Sequence, residues 1–459
     1  MDISEKNPLG YEKVGKLFLK LSIPSVIAQL VNLLYNLVDR IFIGHIEEVG
    51  DIALTGVGVC LPLIMIISAV SCLCGMGGAP KAAIKMGEND LEGANKILGN
   101  CTVLTIIFSI ILTILVLIFK EPLLYLFGAS NNTITYALDY VSIYSLGTIF
   151  VMVSLGLNAF ITTQGFSKVS MINVIIGAVL NIILDPIFIY GFNLGVKGAA
   201  LATIISQAIT AFLIIRFLLS DKTKLKLQTK YFKLDYKVFL PVMALGLAPF
   251  IMQSTESILS ICFNTSLLKY GGDIAVGAMT ILTSLMQFAM LPLQGFSQGA
   301  QPIISYNYGA RKPERIKQVF KILFTICITY SFVFWLITML FPSTLVSIFT
   351  DKTELIIFAS RALRIYMAVI CLFGIQIACQ QTFVSLGNAP VSLFLALLRK
   401  VFLLIPLIYI VPMFMENKCD AVFLAEPISD LIAVSTTAIM FIIIFKKSMK
   451  KIEGENQYE

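Results

Sequence analysis

Five acidic residues, Asp39, Asp185, Glu256, Glu426 and Asp430, lie inside long apolar runs of a 459-residue chain. An ionisable side chain at membrane depth is expensive and is by default a candidate for function. Asn181 and Asp185 are four positions apart, hence on one face of a helix, and Pro186 lacks the N–H that would bond the Ile182 carbonyl. That face can offer oxygens to a cation. Glu426 and Asp430 repeat the same spacing, and the run before them carries two cations, Arg399 and Lys400, which need a partner or a water-filled cavity. Other chemistry is excluded by composition. With His45 as the single histidine there is no HExxH zinc site, no histidine metal cluster, and no Ser/His/Asp triad unless His45 itself serves. No GxxxxGK[ST] loop is present, so ATP does not drive the protein directly. The nine cysteines lie almost all in apolar segments, where they are expected to be small core residues without a disulfide framework. No cofactor and no enzymatic activity are expected.

These acids must be carried by membrane helices. Hydrophobic residues make up 58% of the chain, charged ones 13%, and the mean hydropathy is +0.89. A crossing of the hydrocarbon core takes roughly 20 apolar residues, so twelve crossings take about 240, close to the whole apolar supply. The predicted fold is therefore all-α, with helices near 16–45, 51–79, 93–119, 133–161, 168–190, 197–219, 238–267, 273–306, 314–341, 354–385, 391–413 and 419–445. The polar stretch Ser220–Lys237, with six lysines, reads as a linker. It divides the chain into a six-helix lobe (1–220), a cytoplasmic linker (221–237), a second six-helix lobe (238–446) and a solvated tail (447–459). The net charge of +7 is spread over short loops and reads as a topology signal, with no nucleic-acid partner. Lys and Arg collect on the side of the N-terminus, in the linker, between Arg311 and Lys321 and in the tail, so both termini are predicted to be cytoplasmic.

The halves repeat at a constant offset of 222 residues. Gly50-Asp51-Ile52-Ala53 meets Gly272-Asp273-Ile274-Ala275, Gly77 meets Gly299, Pro80 meets Pro302, Gly87 meets Gly309 and Gly165 meets Gly387. Because six is even, the two lobes share one orientation, as in parallel repeats about an axis along the membrane normal, with the substrate cavity expected between them. Asn181, Asp185 and Thr203 fall opposite Leu403, Leu407 and Ala425, so the acidic face belongs to the first lobe alone.

Several separate motifs give the chain a resemblance to a known family. Pro24 and VDRIFIG (Val38–Gly44) in the first helix, GDIAL in the second, NIILDP (Asn181–Pro186) in the fifth, GVKGAALAT in the sixth and AEPISD (Ala425–Asp430) in the last are similar to the multidrug and toxic compound extrusion (MATE) transporters, most of all the DinF/MepA-like bacterial branch. The resemblance implies two six-helix lobes forming a V in a bacterial cytoplasmic membrane, and export of drugs and other amphipathic, often cationic compounds in exchange for H⁺ or Na⁺. It also implies an ion-coupling site, for a proton or Na⁺, at Asp39, Asn181, Asp185 and Thr203. A monomer is expected, with amphipathic small molecules and membrane lipid as its partners. The NorM-like branch binds a cation in the second lobe with a glutamate on the seventh helix and an aspartate on the tenth. Here the tenth helix has no acid, which leaves Glu256 either as a counter-charge for substrate or as a partner of Arg399 or Lys400.

Polar and adaptable residues on several helices are candidates to line the cavity: Gln29, Asn32, Tyr35, Asn36, Asn158, Gln164, Gln253, Glu256, Met286 and Gln287. Pro24, inside the first helix, removes one backbone hydrogen bond and marks a candidate hinge. The competing function is a lipid-linked oligosaccharide flippase of the same superfamily, whose diphosphate substrate asks for basic residues facing the cavity. Only Arg399, Lys400, Arg361 and Arg364 are candidates for that.

Overall fold

The computed structural model describes residues 7–455. Twelve helical spans follow one another: α1 (Val14–Gly44), α2 (Gly50–Gly87), α3 (Leu91–Leu126), α4 (Ile134–Leu146 with Thr148–Thr163), α5 (Ser167–Gly191), α6 (Val196–Leu219), α7 (236–271), α8 (273–309), α9 (Pro313–Leu340), α10 (Thr353–Tyr366 with Ile370–Ser385), α11 (Ala389–Met413) and α12 (Lys418–Glu455). α7 and α8 run on as 74 helical residues, about 111 Å if straight, far more than a bilayer holds. Gly272, at φ 64° and ψ −161°, breaks the run into two crossings, in a conformation that a side chain would strain. Large apolar residues such as Ile118, Phe212, Ile357 and Ile442 point outward, as lipid-facing positions must.

The 222-residue repeat is written into the backbone. Asn89 and Arg311 both take positive φ after the second helix of their lobe, as do Gly165 and Gly387 after the fourth. α4 bends by 57° around Gly147 and α10 by 45° between Tyr366 and Ile370, at corresponding positions of the two lobes. The contacts between lobes are reciprocal as well. A Cβ on Gly87 would lie 2.0 Å from the carbonyl oxygen of Tyr306, and one on Gly309 would lie 1.9 Å from that of Ile84, which is Tyr306 shifted by the same 222. Gly77 abuts Val242 and Gly246 of α7, while Gly299 abuts Ser22 of α1. α2 and α8 thus cross backbone to backbone on the pseudo-twofold axis, each helix supplying the glycine that lets the other approach.

The lobes clasp through their first helices. Leu17, Phe18 and Leu21 of α1 sit in the large core of the second lobe beside Ala300, Ile303 and Ile304, and Val242 of α7 joins a first-lobe core with Ala82, Leu98 and Phe160. A short helical turn, Pro8–Tyr11, is held to the loop between α8 and α9 and to the first turn of α9. Arg315 Nη2 donates to the carbonyls of Leu9 (3.2 Å) and Glu12 (2.8 Å), and Lys312 Nζ to that of Gly10 (2.9 Å). Lys317 bridges Glu314 and Glu453, which brings the C-terminal helix to the same end. Hydrogen bonds between the lobes, Ser22 to Phe296 and Thr163 to Gln301 among them, lie toward this terminal end, with Gln29–Gln298 and Cys72–Gln253 deeper in the bundle.

Two features depart from the expected organisation. The 447–459 segment does not leave the bundle at residue 447: α12 stays helical to Glu455, because Met449 and Ile452, three apart on one face, are buried in the second-lobe core. The linker is strapped down. Gln164 Oε1 accepts from Thr223 Oγ1 (2.6 Å), Lys224 N (2.9 Å) and Leu225 N (2.8 Å), Asn95 Oδ1 from Lys226 N (2.9 Å), and Asn100 Oδ1 from Asp235 N (2.8 Å). The buried Gln164 amide thus faces the linker and organises the chain between the lobes. Gln164→Leu is expected to leave two backbone N–H groups unpaired at about 2 kcal/mol and lower the melting temperature by a few degrees, with drug affinity unchanged. Thermal unfolding and ligand titration of the same preparation check both halves of that statement.

Candidate functional site

The first-lobe site is built where α1, α4, α5 and α6 meet. Gly177 on α5 faces α6 so closely that an added Cβ would lie 2.4 Å from Thr210 Oγ1. One turn further along α5, this close approach brings Asn181 within reach of Thr203. Asn181 Nδ2 donates to Asp185 Oδ1 at 3.2 Å and faces Thr203 Oγ1 at 3.5 Å. Asp185 is fully buried, Asn181 nearly so, and Asp39 is 9% exposed. Beyond Pro186 the helix widens into a π turn over Ile187–Gly191, the kind of local bulge that recurs at functional sites. Tyr190 then donates its hydroxyl to the Phe42 carbonyl at 2.7 Å, pinning α5 to α1 close to Asp39.

Three buried oxygens of this group, Asp39 Oδ1, Asn181 Oδ1 and Asp185 Oδ2, have no hydrogen-bond partner among the described residues. Buried polar atoms are nearly always paired, and each orphan forfeits about 1–3 kcal/mol. Two carboxylates, a carboxamide oxygen and a hydroxyl form a hard, all-oxygen donor set, which fits a proton or a small monovalent cation and does not fit a soft metal. The structure thus brings Asp39, Asn181, Asp185 and Thr203 into one region of the first lobe.

Tyr140 and Tyr144 of α4 are members of this neighbourhood that sequence reasoning missed. Their rings stack at 5.8 Å, both are buried, and the segment that carries them packs against α6, which bears Thr203. Their four-residue spacing in a helix was the available signal.

The second lobe has no copy of this site. Its buried charges form a network of their own. Arg399 donates through Nε to Asp430 (2.7 Å) and through Nη2 to Glu426 (3.1 Å), with its guanidinium 4.5 Å from the centre of the Phe373 ring. Ser429 donates to the Arg399 carbonyl at 2.9 Å. Lys400 Nζ contacts Glu256 Oε1 at 2.6 Å. Of the two roles left open for Glu256, the structure shows the partnership with Lys400. Arg399 and Lys400 lie in a second π turn, Leu398–Leu404, immediately before Pro406.

The remaining cavity candidates take different places. Gln29 bonds Gln298 across the seam at 3.1 Å, and Gln253 accepts from Cys72 across it at 3.2 Å. Asn36 is exposed and turns back to the Asn32 carbonyl, while Tyr35 is half-buried. Asn158 keeps a buried carboxamide oxygen without a partner among the described residues. Met286 packs on the second-lobe core, and Gln287 is exposed.

A model of the family described as MatE matches residues 24–187 and again 249–410, once in each lobe. The multidrug export protein MepA of Staphylococcus haemolyticus (strain JCSC1435) is 27% identical over 369 residues, covering 79% of each chain. MepA of Staphylococcus aureus (strain NCTC 8325 / PS 47) is 26% identical over 413 residues, covering 88% of each. Among solved structures, an outward-facing multidrug resistance MATE family transporter of the MOP superfamily superposes with a TM-score of 0.90 at 23% identity, over 98% of this chain and 99% of that one. A MATE structure in the bent conformation superposes with 0.89 at 24% identity, over 96% and 97%. With the family model matched in both lobes, the chain is a multi-pass membrane transporter rather than an enzyme, and it belongs to the MATE family, with MepA proteins among its relatives.

Proposed function

We propose that the protein is a multidrug exporter of the bacterial cytoplasmic membrane, with both termini inside, that exchanges amphipathic and often cationic compounds for H⁺ or Na⁺ at the first-lobe site. The observation that carries this reading is the set of orphaned oxygens on Asp39, Asn181 and Asp185, buried in one lobe of a two-lobed bundle. An ion that satisfies them stabilises the arrangement of α1 and α5 in which they converge. Drive follows only if that arrangement is favoured over the alternative, because a ligand with equal affinity for both shifts nothing. A potential of 100 mV supplies about 2.3 kcal/mol per charge moved fully across, comparable with such a rearrangement.

The flippase reading has less to draw on in the second lobe. Arg399 pairs with Glu426 and Asp430, Lys400 with Glu256 and Arg361 with Asp420, so three of the four cations a diphosphate would call on are already engaged and only Arg364, exposed on α10, is without such a pair among the described residues. The test is uptake of ethidium into inverted proteoliposomes under an imposed Na⁺ gradient or an imposed pH gradient. Accumulation driven by one of them is expected; accumulation under neither removes the coupling.

Pro24 acts in this scheme as the hinge of α1. It lies between Ser22 and Val26, against whose backbones Gly299 and Gly295 of α8 are pressed, so a bend there is felt directly at the contact between lobes. Fifteen residues, about 22 Å of helix, separate it from Asp39, so the two communicate through packing. Pro24→Ala is expected to keep ethidium binding within twofold of the parent and to slow gradient-driven uptake at least about tenfold, a barrier increase of about 1.4 kcal/mol. Uptake at the parental rate would remove Pro24 from the mechanism.

A further inference from the structure

Glu256 stands near the middle of α7 and its side chain is 53% exposed, whereas Lys400, its partner, is 7% exposed. An exposed carboxylate at that depth must face either lipid or the space between the lobes. Its neighbours decide which. Gln253 accepts a bond from Cys72, and Ser257 donates to Met65 Sδ at 3.5 Å, both on α2 of the other lobe. Glu256 therefore looks onto the seam. Met252, one turn away on the same face, lines a cleft of about 20 Å³ with Phe373, Gln376, Gln380, Arg399 and Lys400.

The two cations at the head of the π turn are held unequally. Arg399 has Glu426 and Asp430 of α12, the Phe373 ring and a bond from Ser429 to its own carbonyl. Among the described residues Lys400 has one ion-pair partner, Glu256, with the polar carboxamides of Gln376 and Gln380 beside it in the cleft. A flexible four-carbon ammonium with a single carboxylate is the member of this network that can exchange its partner at the smallest loss.

We propose that Lys400 is a built-in competitor for the cationic group of the substrate: it occupies Glu256 while the seam is empty, and an amphipathic monocation takes Glu256 over as Lys400 withdraws into the cleft. This rests on the export reading above and adds to it a specificity-determining residue. Cations that reach Glu256 from the seam must break the Lys400 pair, so their measured affinity is the intrinsic one reduced by the fraction of protein in which Glu256 is free. Neutral amphiphiles make no such exchange. The pair thus sets a threshold that only well-fitting cations pass.

The test uses the full-length protein in detergent, with ethidium as the monocation and Nile red as the neutral probe, titrated by fluorescence. Lys400→Met is expected to tighten ethidium about tenfold and leave Nile red unchanged; Glu256→Gln to weaken ethidium about tenfold; and the double variant to match Glu256→Gln alone. Lys400→Gln, which keeps a polar head in the cleft, gives the same tightening and guards against a packing effect of methionine. Ethidium affinity that is unaltered or weakened in both Lys400 variants, with parental melting temperatures, overturns the proposal and leaves the export reading standing. Failure of ethidium to bind the parent and every variant overturns both.

Discussion

Asp185→Asn and Asp39→Asn are each expected to abolish gradient-driven export, with uptake into proteoliposomes falling at least about a hundredfold, a loss of about 2.7 kcal/mol of coupling. Expression and melting temperature should stay close to the parent. The reason is geometric. Asp185 is fully buried with one oxygen bonded to Asn181 and the other unpartnered, and asparagine keeps both the shape and the acceptor while removing the ionisable group. A structural aspartate paired to a cation would behave in the opposite way, because its loss would strand that cation at 3–5 kcal/mol. Asp430, which holds Arg399 at 2.7 Å, supplies the comparison: Asp430→Asn should lower stability before it alters ion dependence. Transport retained in both first-lobe variants would place the coupling elsewhere.

Gly309→Val is expected to cost about 3 kcal/mol and to stop transport. A Cβ there would sit 1.9 Å from the Ile84 carbonyl oxygen and 3.1 Å from the Glu88 nitrogen, and both obstacles are backbone. α2 and α8 would have to separate at the crossing that closes the terminal end of the bundle, so the closed arrangement is lost while the other end is untouched. Gly87→Val should reproduce the effect, since its Cβ meets the corresponding atoms of Tyr306 and Ala310. Gly58→Val, where a Cβ meets nothing within 4 Å, controls for substitution in α2. Thermal unfolding and ethidium uptake of the three variants decide the matter, and equal stability and activity in Gly309→Val and Gly58→Val would contradict it.

Much of the fold is legible in the sequence because lipid imposes a single rule on every span. Each helix needs roughly 20 apolar residues, and glycines and prolines recurring 222 positions apart mark the same helix ends in both lobes. The carboxylates of the first lobe are legible for a related reason: acids within apolar runs are rare, and a four-residue spacing from Asn181 to Asp185 fixes a shared face. Tyr140 and Tyr144 escape because aromatic residues are ordinary in membrane helices, and only the packing of α4 against α6 distinguishes these two. The sorting of Arg399 to α12 and Lys400 to Glu256 escapes because consecutive residues of one helix reach different partners by rotation alone, here through a π turn that local sequence does not announce. The bonds of Gln164 to the linker are hidden for the converse reason. A polar residue near a helix end has the same composition whether it faces a cavity or holds a linker, and three bonds to Thr223, Lys224 and Leu225 are visible only in three dimensions.

Exchange of drug for ion requires that the two oppose each other in binding, reciprocally and by the same factor. The direct measurement is ethidium affinity of the purified protein as a function of Na⁺ concentration at fixed pH, and as a function of pH without Na⁺, in the parent and in the Asp39→Asn/Asp185→Asn double variant. Weakening by one of the two ions in the parent, and by neither in the double variant, is the result expected from a coupling site on those carboxylates. Ethidium affinity indifferent to both ions in the parent, or the same ion dependence preserved in the double variant, would contradict it.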